Sequence, residues 1–312
     1  MRRIDVRLSL TSDLGTPMRG DTLFGQLCWA LRLRSGPAAL TEALAGYGTG
    51  RPFAVISDAM PAGFLPKPDI PPPTPVDDDA DWQARKAWGR RRWVPRAAFS
   101  SRLIDALSDR LLASPASFET GLQSHNTINR LTGTTGQGEF APFQAMRLLV
   151  TDANRRVDLV GIVDETRIAP QVFVDLIRDV GLGGFGRDAS IGLGLFDLDG
   201  VDERAVEVVP AGRPVVTLAP AAFQARSLDP ERSHWRVFTR FGRHGGAAGG
   251  GAVFKTPVLL ADTGALVTPT RAVAQGFVGR GLGGDGRLSR RIPETVHQGF
   301  APVIPVDLEG WT

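Results

Sequence analysis

Cysteine, histidine, tyrosine and lysine are all scarce in this 312-residue chain: it has one cysteine, four histidines and one tyrosine, and its only lysines are Lys67, Lys86 and Lys255. A lone Cys28 excludes an intramolecular disulfide and a thiolate zinc site, and its setting, Leu27-Cys28-Trp29-Ala30-Leu31, is that of a small buried hydrophobe in a reducing compartment. His125, His234, His244 and His297 form no H-x-x-x-H, H-x-E or His-Asp pair, so metal catalysis lacks a ligand set. No run approaches the ~18 apolar residues that cross a bilayer. The opening Met1-Arg2-Arg3-Ile4-Asp5-Val6-Arg7 is charged at alternate positions and has no signal-peptide core. A cytoplasmic protein without cofactor, metal or membrane partner is expected.

What is present is a globular composition, 42% hydrophobic and 22% charged. The net charge is only +3. Arginine supplies nearly all of the positive charge, and guanidinium binds planar anions bidentately and stacks on bases. High genomic GC content also enriches arginine, so the placement of the charges matters more than their sum.

Ile4, Val6, Leu8 and Leu10 alternate with polar residues and predict an opening strand. A helix follows, with Asp21 as N-cap and Leu23, Phe24, Leu27, Ala30 and Leu31 at helical spacing, ended by Gly36-Pro37. A short helical stretch at 38–44 and a strand at 53–57 come next. Beyond a proline-rich segment, Asp77, Asp78, Asp79 and Asp81 give way to Arg85, Lys86, Arg90, Arg91, Arg92 and Arg96, an insertion of separated charge that is either a self-neutralising loop and helix or an RNA or partner contact. A helix is predicted over 101–112. A hairpin follows, its polar tip within 125–140 and its whole span 123–148. Strands at 146–150 and 157–163, a helix at 170–180 and a strand at 193–198 complete a first domain, 1–202. The second domain, 203–312, has strands near 215–218, 235–240, 258–260 and 300–306. The order suits an α+β chain of two ferredoxin-like (RRM-like) domains, the second degenerate, with a protruding β-hairpin.

Three glycine-rich segments are candidate phosphate contacts, because glycine lets main-chain N–H groups approach an anion. The first, 181–194, offers Gly183, Gly184, Gly186, Arg187 and Ser190. It follows a helix and enters a strand, the reverse of a dinucleotide fingerprint, and has no P-loop ending. The second and third, 240–251 and 276–287, carry Arg240, Arg243, Arg280 and Arg287. From Arg236 to His297 nine cations, Lys255 among them, face Asp262, Asp285 and Glu294 only, a local excess suited to RNA. Plain surface loops are the alternative reading.

Gly20-Asp21-Thr22-Leu23-Phe24-Gly25-Gln26-Leu27-Cys28-Trp29, Ile56-Ser57-Asp58-Ala59-Met60-Pro61 with Leu65-Pro66-Lys67-Pro68, Asn129-Arg130-Leu131-Thr132-Gly133, the Gly-Phe-Gly-Arg-Asp-Ala-Ser loop and Gln298-Gly299-Phe300-Ala301-Pro302 stand in one order. Together they resemble the RAMP superfamily of CRISPR effector proteins, and within it the Cas-five group that supplies subunit four of the type III-A Csm complex. The resemblance implies a non-catalytic, RNA-binding subunit of a ribonucleoprotein for antiviral defence. Such a subunit holds the 5′ repeat-derived handle of the CRISPR RNA and caps the complex beside the large Cas-ten subunit and the RAMP backbone subunit. The hairpin is then similar to the thumb laid across the guide, with Ile128, Leu131 or Phe140 between bases, Arg130 at phosphate and Asn126 among the RNA-binding residues. Gly20, Asp21 and His297 join the same RNA-binding set. Asp13, after the first strand, is kept in view because the backbone subunit cuts target RNA from such a loop, although the loop is short here. Two other readings stand beside this one: a CRISPR RNA-processing endoribonuclease with His125 or His297 as general base, and a nucleotide-binding enzyme using the first glycine loop.

Overall fold

The computed structural model describes residues 1–70, 86, 89–100, 114–136, 138, 141–245 and 254–308. The helix expected over 101–112, most of the charged insertion, Phe140 and the glycines of 246–251 lie outside the described residues. The chain is α+β, built on antiparallel sheets. Strand β1 (Arg2–Leu10) buries Ile4, Val6, Leu8 and Leu10 on one face, as its alternation predicts. Each such side chain contributes roughly 2 kcal/mol of burial. Its other face is polar, with Arg3 on Asp5, Arg7 on Asp158 and Arg204 on Asp5.

Helix α1 (Gly20–Leu44) breaks where the sequence says it must, at Gly36 (φ 87°) before Pro37. Asp21 is not its cap: the chain enters through extended Arg19, and the Gly20 N–H is taken by the Asp58 carboxylate at 2.7 Å. Strands β2 (Ala54–Ile56), β3 (Met60–Pro61), β4 (Phe64–Pro66) and β5 (Trp93–Pro95) follow. The pairing of β4 with β5 ties together the two ends of the charged insertion. Strands β6 (Glu119–His125) and β7 (Phe143–Leu149) form the expected hairpin, with its pairing arms set outside the polar tip.

Strand β8 (Arg156–Val163), helix α2 (Pro170–Gly183) and strand β9 (Phe196–Ala205) complete the main sheet, whose order is β2-β8-β1-β9 with β3 also on β8. Proline at the first turn of α2 removes one of the amides that would have no partner within the helix. The Phe173 ring of α2 lies so close to Gly161 that a Cβ there would sit 2.5 Å from it, so the strand needs glycine to receive the helix. Strand β9 runs well past the expected end at 198 and through the expected domain boundary at 203, pairing with all of β1.

The rest of the chain forms β10 (Val215–Thr217), β11 (Val237–Arg240), β12 (Val258–Ala261), β13 (Leu266–Val267), β14 (Phe277–Gly279), β15 (Leu282–Gly283), β16 (Val296–His297) and β17 (Phe300–Pro305). Its four-stranded sheet, β13-β10-β17-β14, has a different order from the first, and among the described residues no α-helix connects its strands. The third glycine segment is therefore not a plain loop, since β14 and β15 lie within it and pair with β17 and β16. The second half has smaller clusters of its own, and the main core reaches into it through rings that run from Phe24 to Tyr47 (5.0 Å), Phe300 (5.4 Å) and Phe277 (5.2 Å). Fully buried Gln298 adds a seam: its amide bonds both the N–H and the C=O of Ile56 on β2, at 2.9 and 2.8 Å. No described helix is long and apolar enough to cross a membrane.

Candidate functional site

Five of the residues expected to face RNA are turned inward, where the start of α1 meets the β11–β12 ribbon. The Asp21 carboxylate has no exposed surface and takes Arg240 Nε at 2.5 Å and Nη2 at 3.0 Å, while His297 Nε2 stands 3.3 Å away. Burial pushes this carboxyl up, but His297 and Arg240 together outweigh it and hold it below the usual range. Gly20 is wedged against the carbonyl of Ile56, and the Lys255 ammonium donates to the Val296 carbonyl at 3.2 Å. Burial lowers the Lys255 pKa. The physical reason for the inward turn is desolvation: a buried carboxylate is tolerated only when cations meet it, and the nearest cations are recruited.

A second acidic cluster adjoins the first. Asp58 accepts from the Gly20 N–H and the Thr263 hydroxyl, each at 2.7 Å, while Arg19 pairs with Asp262 and lies 3.9 Å from Asp58. Burial raises the Asp58 carboxyl to about 6 against these partners. The Phe238 ring has the guanidinium of Arg19 at 5.1 Å and that of Arg240 at 5.0 Å. Arg19, Asp58, Phe238 and Asp262 were not picked out as site residues. Asp58 stood in a quoted motif, but nothing in its spacing to Asp262 signals contact.

The first glycine segment sits between α2 and β9 and is tied to the hairpin. Gly183 is open, Gly184 ends α2 with φ 80°, and Gly186 (φ 83°) lies over Thr16, whose hydroxyl accepts the Arg187 N–H at 3.1 Å. Arg187 also donates to the Met146 carbonyl of β7 and pairs with Asp188 at 3.0 Å. Gly194 (φ 75°) closes the loop so tightly that a Cβ would stand 2.1 Å from the Phe185 carbonyl oxygen. Ser190 is exposed. Asp13 is bound into the hairpin base, accepting the Val150 N–H at 2.8 Å and pairing with Arg147 at 3.2 Å.

The hairpin presents apolar side chains to solvent. Ile128, Leu131, Leu122, Phe143 and Met146 are exposed, Leu131 at 96%, and Asn126 and Arg130 stand beside them in the open. Leu122 faces Met146 across the strands, and the His125 ring stacks on Phe143 at 5.1 Å. Of the remaining predicted cations, Arg243, Arg280 and Arg287 are exposed. Arg287 pairs loosely with Asp285 at 3.4 Å, and Arg243 lies over Phe254 at 5.1 Å. Arg280 and Arg243 carry no carboxylate partner among the described residues. Nor do three His, Cys, Asp or Glu side chains gather there as metal ligands.

No protein-family profile matches the chain, and no curated protein matches it in sequence. Solved structures do match in fold. A Csm1–Csm4 cassette in complex with pppApA aligns over 99% of this chain and 100% of the other at TM-score 0.61 and 15% identity. A Csm1–Csm4 cassette in complex with cA4 gives 0.62 and 16% over 99% of both chains. The chain has the fold of Csm4. A Csm3–Csm4 subcomplex of the type III-A CRISPR-Cas interference complex agrees, covering 98% of this chain and 100% of the other at TM-score 0.61 and 9% identity. In these structures Csm4 is bound to Csm1 or to Csm3.

Proposed function

We propose that this chain is the Csm4-like subunit of a type III CRISPR effector complex. In this reading it holds the 5′ handle of the CRISPR RNA without cutting it and seats a Csm1-like large subunit and a Csm3-like backbone subunit. The observation that carries the reading is the whole-length agreement in fold with Csm4, which the ordered sequence motifs reach independently. The main sheet supports an RRM-like first half: the order β2-β8-β1-β9 with one helix in each crossover is that of a split β-α-β pair. The second sheet, with its order altered and with no α-helix connecting its strands among the described residues, is read as the degenerate half. The hairpin with Ile128 and Leu131 exposed serves as the thumb, and Arg187 anchors it to the glycine loop. Single-stranded RNA is gripped by such a combination of apolar wedges and main-chain contacts.

The endoribonuclease reading fits less well. His297 is buried against Asp21 and Arg240, and His125 is stacked on Phe143, so neither offers a free imidazole to a 2′-hydroxyl. The test is binding of RNA with and without a 5′ handle to the chain assembled with its large and backbone subunits, in a salt series, with RNA integrity followed on a gel. Handle-dependent binding of intact RNA is expected. Cleavage abolished by His297→Ala or His125→Ala would establish the endoribonuclease, and absence of RNA binding by the assembled complex would end the holder reading.

A further inference from the structure

We infer that the outward face of the β11–β12 ribbon, near its tip, is a base-stacking site: one unpaired nucleobase of a bound RNA lies on Phe254, and the adjoining phosphates meet Arg287 and Arg290. This rests on the RNA-holding reading and assigns one nucleotide of that RNA a place.

Burial alternates along the ribbon. Phe238 and Arg240 face inward, whereas Phe241 and Arg243 face solvent, and across the ribbon Phe254 does too. Phe254 keeps 59% of its surface exposed although Arg243 already lies over its ring. An exposed aromatic ring backed by a guanidinium is well suited to a second flat partner, because bases have π-faces and stack without regard to sequence.

The phosphate part of the site adjoins it. Two residues after Phe254, the Thr256 N–H bonds the Leu288 carbonyl at 2.8 Å and fastens the ribbon to the loop that carries Arg287 and Arg290. Between them is an open concavity of about 580 Å³ lined by Thr256, Arg287, Arg290 and Asp285 among others. Arg290 is exposed and has no carboxylate partner among the described residues, and Arg287 has only Asp285 at 3.4 Å. Charge complementarity therefore favours a polyanion over an apolar protein surface at this end of the ribbon.

The experiment uses the chain assembled with its large and backbone subunits and bound to handle-bearing RNA. With p-benzoylphenylalanine at position 254, irradiation is expected to yield an RNA adduct at a single nucleotide. Phe254→Leu should weaken RNA binding roughly five- to hundred-fold, the range of one lost base–aromatic stack, while Phe254→Trp retains affinity. Arg290→Ala should lower the log–log salt slope by about 0.7. A protein adduct at position 254, or unchanged affinity of the Leu variant with RNA still bound, overturns the stacking site and leaves the holder reading intact. Failure of the unmodified complex to bind RNA overturns both.

Discussion

Removing Asp21 should destabilise the chain by about 3–5 kcal/mol, because its fully buried carboxylate is the ion-pair partner of Arg240 and of buried His297, and its loss leaves both without it. The unfolding entropy near 60 °C is about 2.1 cal/mol/K per residue, or about 0.65 kcal/mol/K for 312 residues, so Asp21→Ala should lower Tm by about 5–8 °C. Arg240→Ala should cost a similar amount, since it leaves the carboxylate with His297 alone. The decisive quantity is the double variant. If the two side chains stabilise one another, removing both costs clearly less than the sum of the single losses, by ~1.5 kcal/mol or more. Urea denaturation of the four proteins at pH 7, read through midpoints at constant m-value, gives that coupling. Additivity within about 0.5 kcal/mol, with single losses under ~1 kcal/mol, would refute the reasoning and mean that water reaches the pair.

Asp58 gives the opposite pH signature from Asp21. Its carboxyl is raised from 3.8 to about 6, so between those values the folded chain holds a proton that the unfolded chain has released. Stability should fall as pH rises through that window, by about 2–3 kcal/mol at most, and Asp58→Asn, which still accepts the Gly20 N–H, should flatten that part of the urea-midpoint profile. Asp21, held low, contributes stability present above its unfolded value and lost only as pH falls below about 4. Arg187→Ala should speed amide exchange in the β6–β7 hairpin, because it removes the bond to Met146, and leave the main sheet protected. Leu131→Asp at the fully exposed hairpin tip should leave Tm within about 1 °C and weaken capture of RNA or of the backbone subunit in a pull-down of the assembled complex.

The legible parts of the fold were those whose signal is local. The alternation in β1, the Gly36-Pro37 break in α1 and the proline start of α2 each follow from the residues themselves, and the structure has all three. Strand β9 was read short because Asp197, Asp199, Asp202 and Glu203 leave it without an apolar face; main-chain pairing with β1 holds it. The same limit governed the site. Arg240 and Arg243 look alike in a charge count, yet one meets a buried carboxylate 219 residues earlier and the other meets solvent and Phe254. The exposed Leu122, Phe143 and Met146 were likewise indistinguishable from core, since β-periodicity says which residues share a face and not whether that face is covered.

That division of the cations has a structural consequence for the outward face. In a strand, neighbouring side chains point to opposite sides, so fixing Arg240 on Asp21 fixes the side on which Phe241 and Arg243 emerge; a slip of one residue would bury the aromatic and expose the ion pair. The inner cluster therefore sets the register of the outer surface, and Phe238, between the guanidinia of Arg19 and Arg240, sets it a second time two residues earlier. A short ribbon of four paired residues has little main-chain pairing of its own to hold that register. Buried ion pairs are weak contributors to net stability; the pair here favours one register because Arg240 finds its carboxylate on the inner side of the ribbon, and a ribbon that presents Phe254 and Arg243 outward needs that selection more than it needs stability.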